Sequence, residues 1–153
     1  MKARLVGVFV GLGSLAACGI SDPKDLGILN FDIRPDTASS QTMPIELVVR
    51  TEPQSPCLKY VLQGIVGFGM DVVAVNFTQT NLPESTCIPS DGPFVFRYPI
   101  GFGAVRNDNP FFLTIERAGA VDRYLVLVSD STIDIAPLRS AFTHPNATHV
   151  PRP

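Results

Sequence analysis

The chain of 153 residues has no tryptophan, only two histidines and three cysteines, and charged side chains make up just 17% of it. Each scarcity excludes something. The cysteines, Cys18, Cys57 and Cys87, are too far apart for a zinc-type pair. Both histidines, His144 and His149, fall in a segment that also carries Pro145, Pro151 and Pro153. No regular element is expected there to hold an imidazole against a nucleophile. A G-x-S-x-G elbow, a phosphate-binding P-loop and a dinucleotide fingerprint are missing as well. With 12 basic against 14 acidic residues, there is no cationic surface of the kind that nucleic acid selects. Helical periodicity is absent beyond the first 17 residues.

What is present begins at the N-terminus. Met1-Lys2-Ala3-Arg4 is basic, and no further charge follows until Asp22. A basic start and an apolar run are the layout of an export signal. The run is shorter than the 18 to 20 or so residues of a membrane span and is interrupted by Gly7, Gly11, Gly13 and Ser14. It closes on Leu15-Ala16-Ala17-Cys18, which resembles the lipobox of bacterial lipoproteins. The resemblance covers the signal alone. It implies a diacylglyceryl group on the Cys18 thiol, cleavage just before Cys18, and commonly a further acyl chain such as palmitate on the new amino group. The mature protein would then sit on the exported side of a bacterial cell membrane or outer membrane. Ordinary signal cleavage after Ala16 is the alternative, and it would leave Cys18 as an odd thiol in an exported chain. With Cys18 acylated, Cys57 and Cys87 remain as one pair, and an oxidising compartment makes them a disulfide; two buried free thiols are the alternative. Loss of residues 1–17 removes two basic groups, leaving 136 residues with a net charge near −4, enough chain for one domain with a core.

The sequence divides into the signal, 1–17; a lipid anchor and proline-containing tether, 18–26; a β-domain, 27–137; and a tail, 138–153, without periodicity and expected to be flexible. Within the domain, apolar and polar residues alternate with period two. Leu29, Phe31 and Ile33 form one series, and Ile45, Leu47 and Val49 another. Further strands are expected at 58–66, 71–78, 94–100, 111–117, 123–129 and 132–136, with prolines in most of the gaps between them. Eight short strands in succession predict an antiparallel β-sandwich, immunoglobulin-like in its leading form, with a small β-barrel as the alternative. Tyr124, after a turn and opening a strand, resembles the tyrosine-corner position of such folds.

Candidate site residues are few. Gly67-Phe68-Gly69 and Gly101-Phe102-Gly103 each place an aromatic between glycines where a strand ends. Phe68 and Phe102 are therefore candidates for partner binding from loops, against the alternative that they plug the ends of the core. Asp130, Asp134 and the RNDN stretch at 106–109 offer oxygens suited to weak calcium binding, but fit turn chemistry better. Asn76 and Asn146 head glycosylation-type triplets and receive no role in a bacterial chain. The reading is a non-enzymatic, cofactor-free, lipid-anchored binding or structural module of the cell envelope, with an envelope protein or a glycan as its partner. An enzyme or a weak metal binder is the alternative.

Overall fold

The computed structural model describes residues 27–35, 45–54, 56–101 and 108–152. The signal, Cys18, the 36–44 loop and Phe102 lie outside the described residues. The described residues are all-β, in ten strands: β1 (Leu29–Pro35), β2 (Ile45–Thr51), β3 (Tyr60–Phe68), β4 (Val72–Asn81), β5 (Val95–Ile100), β6 (Phe111–Arg117), β7 (Ala120–Val128), β8 (Thr132–Arg139), β9 (Thr143–Pro145) and β10 (His149–Pro151). They form a sheet in the order β5-β2-β1-β9 and a second in the order β10-β8-β7-β6-β4-β3. Period-two alternation explains how the two sheets share one core. Leu29, Phe31 and Ile33 of β1 face inward with Val73, Val75 and Phe77 of β4, and with Leu113, Ile115 and Val126 of β6 and β7.

The succession of strands predicts antiparallel pairing throughout, but both sheets are mixed. Between β4 and β6 the chain visits the other sheet as β5, so β6 returns beside β4 and parallel to it. By the same logic β9, after β8, lies parallel to β1. The order also differs from the two antiparallel sheets of immunoglobulin constant domains.

The segment after residue 137 is not a structureless tail. β8 continues through Pro137 to Arg139 because the register shifts between Arg123 and Tyr124, leaving one extra residue on the β8 side; such a bulge accommodates a proline that regular pairing would reject. β9 then pairs with β1 in one sheet, and β10 with β8 in the other. The chain thus crosses between the sheets, and that side of the domain is closed. The crossing is tied down at Asn146 N–H to Phe31 O, 2.8 Å, at Ile135 N–H to Thr148 O, 2.8 Å, and at Arg152 N–H to Ser131 O, 2.7 Å.

A buried carboxylate holds the crossing in place. Ala118 and Gly119 both have positive φ, 50° and 81°, giving the two-residue turn that suits strand twist. This tight turn carries Asp122 inward on β7, where it is 0% exposed. Its oxygens accept from the N–H groups of Ala141, Phe142 and Thr143 at 2.7, 2.9 and 2.7 Å, and from the Thr143 hydroxyl at 2.7 Å. Tyr124, two residues on and also fully buried, donates its hydroxyl to Thr143 O at 2.6 Å. Burial pushes the Tyr124 pKa up, and the nearby Asp122 charge adds to this against the hydrogen bonds from Ser140 and Thr143.

On the outer face of the smaller sheet, Arg34 pairs with Glu46 at 2.6 Å, Arg97 with the same carboxylate at 3.3 Å, and Arg50 with Asp32. Burial draws the Glu46 pKa upward, but Arg34 and then Arg97 outweigh it, so the carboxyl lies below its ordinary value.

Asp122→Ala strips a shared acceptor from three amides, each costing about 1 to 3 kcal/mol when left buried and unpaired. The expected loss on urea unfolding is at least about 3 kcal/mol, with the 140–152 segment becoming protease-sensitive first. Tyr124→Phe, which removes the hydrogen bond to Thr143 O and the hydroxyl contact with Thr143 Oγ1 at 2.8 Å, is expected to cost about 1 to 2 kcal/mol. A loss below about 1 kcal/mol for Asp122→Ala would show that the crossing docks by other contacts.

Candidate interaction edge

Opposite the closed side, β3 and β5 are the terminal strands of their sheets. Gly64 lets them approach: a Cβ there would stand 2.5 Å from Phe96 Cε2 and 2.9 Å from Phe77 Cε1. Phe96 of β5 meets Phe77 edge-on at 5.2 Å and so fills the inner space beneath β3.

Four strands are terminal in the two sheets, and they differ in chemistry. β5 carries Arg97 and Pro99, β9 carries Pro145, and β10 carries Pro151. Proline and charge on an edge discourage further pairing. β3 has neither. Its nine residues read YVLQGIVGF, and no charge occurs from Tyr60 to Met70.

Which backbone groups of β3 lack a partner among the described residues follows from two hydrogen bonds. Leu82 N–H donates to Lys59 O at 2.9 Å and Gly69 N–H to Val72 O at 2.8 Å. In the register Tyr60↔Asn81 to Phe68↔Val73, this assigns the odd-numbered residues to the β4 ladder and turns the amides and carbonyls of the even-numbered ones away from it. The first two are covered. Leu58 N–H donates to Ile88 O at 2.9 Å, Ser90 N–H donates to Pro56 O at 3.0 Å, and Cys57 bridges Pro89, so the chain after β4 folds back as a short ribbon along the start of the edge. Tyr60 N–H is taken by the Gln54 side-chain oxygen at 3.2 Å. Beyond it lie Leu62, Gly64, Val66 and Phe68.

The disulfide Cys57–Cys87 forms as expected and pins that ribbon, with a Cα separation of 5.1 Å across 30 residues. Closing a loop of this size stabilises the fold by about 3 to 4 kcal/mol in the chain-entropy account.

Exposed apolar side chains gather along the same edge. Ile65 is 72% exposed, Phe68 50% and Met70 96%. Beside Ile65 a shallow groove of about 280 Å³ is lined by Gly67, Ala74, Asn76 and Thr114 among others. Phe68 is neither the core plug nor the free loop residue that the sequence allows: one side of its ring rests near Tyr98, with centroids 6.0 Å apart. Tyr98 pairs with Leu47, and Leu47 with Ile33, so Phe68 lies at the end of the domain away from Leu29. The β7–β8 turn at Ser129–Ser131 is at the same end of the larger sheet, as Asp108 N–H to Val128 O and Phe112 N–H to Asp71 O show. Phe102, the other aromatic candidate, and the lipidation candidate Cys18 lie outside the described residues.

Two polar arrangements are not legible in the sequence, the burial of Arg117 and the pairing of His149 with Asp134. Arg117, the last residue of β6, is 1% exposed; its guanidinium lies 5.3 Å over the Tyr60 ring and donates to Gln79, while Nε and Nη1 have no partner among the described residues. Burial lowers its pKa, against the opposing effect of Tyr60. The other is His149, which bonds Asp134 through Nδ1 at 2.6 Å and clasps β10 to β8. A shallow groove of about 360 Å³ lies beside it, walled by Leu125, Leu127 and Ala136. Among the described residues no group of three or more His, Cys, Asp or Glu could hold a metal ion, and no helix is long and apolar enough to cross a membrane.

Comparison with protein-family models, curated proteins and solved structures finds no match to this chain.

Full burial of a phenylalanine side chain is worth about 1.5 to 3 kcal/mol, so Phe68→Ser is expected to cost about 1 kcal/mol in thermal unfolding, against 3 kcal/mol or more for a core plug. The His149–Asp134 clasp gives a pH dependence of definite sign. Hydrogen bonds from His149 and then Thr132 hold the Asp134 carboxyl below its ordinary value. Its contribution is therefore complete above the unfolded carboxylate pKa, about 4, and is lost as pH falls through the lower folded value. Amide exchange at Val150 should accelerate on acidification from pH 5 to 3 beyond the intrinsic trend, and Asp134→Asn should abolish that excess.

Proposed function

We propose that the chain is a lipid-anchored module of the bacterial cell envelope that works by binding, not catalysis, and that it meets its partner along the open side of the β-domain. The observation that carries the binding half is the β3 edge. It is nine residues long, uncharged and free of proline, and Ile65, Phe68 and Met70 stand exposed on it or at its turn. Long apolar edges left unguarded are ready templates for another strand, and exposed apolar patches on monomers mark contact sites. The location half rests on the resemblance of Leu15-Ala16-Ala17-Cys18 to a lipobox. A disulfide between Cys57 and Cys87 agrees with an exported, oxidising setting. An envelope protein suits this edge better than a glycan, since backbone pairing groups and aliphatic side chains favour a polypeptide.

Each methylene of an acyl chain adds about 0.8 kcal/mol of membrane affinity, and stable anchoring takes more than one chain. The wild-type protein should therefore stay on membranes through a high-salt wash and be released by detergent. Cys18→Ala should appear in the soluble exported fraction or accumulate as the uncut precursor. Identical fractionation and gel mobility for Cys18→Ala and wild type would overturn the anchor.

A further inference from the structure

The binding reading of the open side leaves its occupant unnamed, and the register of β3 narrows it. We infer that β3 pairs antiparallel with β3 of a second copy of this chain, joining two six-stranded sheets edge to edge about a twofold axis between their Ile65 residues. This deepens, and rests on, the reading of the edge as a contact surface.

Antiparallel self-pairing is the arrangement in which one patch complements itself under twofold symmetry. The outward groups of Leu62, Gly64, Val66 and Phe68 belong to even-numbered residues, while the amides of Leu58 and Tyr60 are already taken. Only one symmetric register uses all four: Leu62 opposite Phe68 of the second copy, and Gly64 opposite Val66. A shift of two residues either way strands one of them. In that register Ile65 falls opposite Ile65 at a non-hydrogen-bonded position, where side chains stand closest. Ile65, 72% exposed in the single copy, would thereby have the flank of its side chain covered by pairing.

Charge agrees. With no ionised side chain from Tyr60 to Met70, two copies meet without like-charge repulsion, and the edge offers nothing to select a charged peptide. The ribbon pinned by Cys57–Cys87 occupies the same lane further along. It ends the free stretch at Tyr60 and brings the exposed Met70 of each copy towards the exposed Ile88 of the other. Antiparallel pairing sets the two Leu29 ends at opposite ends of the joined sheet. Residues 18–28 span at most about 40 Å, long enough for both copies to reach one membrane with the joined sheet lying along it.

The test uses the full chain in its native membranes. Ile65→Cys places two thiols across the twofold axis at a Cα separation of about 4.5 Å, within disulfide reach. Mild oxidation should convert most of the protein to a band of doubled mass on a non-reducing gel. Gln63→Cys, which faces Gly67 of the other copy, should give less than a tenth of that yield. Val66→Pro removes an N–H that points away from β4, so the monomer's ladder stays intact; in the Ile65→Cys background it should reduce the doubled band at least tenfold while the Cys57–Cys87 bridge still forms. Absence of an Ile65→Cys dimer in correctly bridged protein overturns the pairing. Equal yields from the two cysteine variants overturn it too, as does a cross-link to a different protein, although that last result retains the edge as a contact surface. A dimer band in the wild type that vanishes in Cys18→Ala reports a free Cys18 thiol; it refutes the anchor, and the pairing is then read in the Cys18→Ala background.

Discussion

Three consecutive amides and one hydroxyl, from Ala141 to Thr143, converge on the carboxylate of Asp122, which lies entirely out of water. A buried carboxylate is costly unless its hydrogen bonds are supplied, and here a single short stretch of chain supplies them. The stretch can dock in one place only. Docked there, Phe142 enters the core, Thr143 starts β9 beside β1, and the chain runs on into β10 beside β8. Closure of one side of the domain, and with it the mixed pairing of the smaller sheet, follows from that one group.

The opposite side is closed by other means, and incompletely. Past the disulfide ribbon, side chains bridge the gap: Phe96 packs under Gly64 and against Phe77, and Phe68 leans near Tyr98. The fold is thereby curled like part of a barrel, with β3 and β5 at its lips. Proline and arginine blunt β5, whereas among the described residues β3 is covered at its start only, by Gln54 and the disulfide ribbon. The disulfide therefore does more than restrict the unfolded chain, because it sets how much of the edge is available.

Strand content was legible where alternation ran for five residues or more, as in Leu29–Ile33 or Phe111–Ile115, because period two and a half-buried sheet are the same fact. β9 and β10 were not legible. Three residues cannot display a period, and Pro145 and Pro151 argue against strands except at edges, a status that depends on the whole sheet order. Asp122 could have been found. Tyr124, Val126 and Val128 fix an inward parity on β7 that also includes residue 122, but an aspartate three residues after a glycine reads first as turn chemistry. Phe68 was picked out by its flanking glycines. The edge it belongs to was invisible, since nothing local in the β3 sequence reveals that β4 is its single neighbour among the described strands.

The position of β1 gives the domain a mechanical character. The strand that follows the N-terminal region is not at a margin: β2 grips it on one side along seven residue pairs, and β9 on the other along three. A pull on the chain ahead of Leu29 therefore cannot peel an outer strand away one hydrogen bond at a time. It loads both ladders together, lengthwise, and the second ladder is itself fastened through Thr143 to the Asp122 carboxylate on the opposite sheet. Force entering at the N-terminus is passed across the core into β7, so the domain resists tension as a unit.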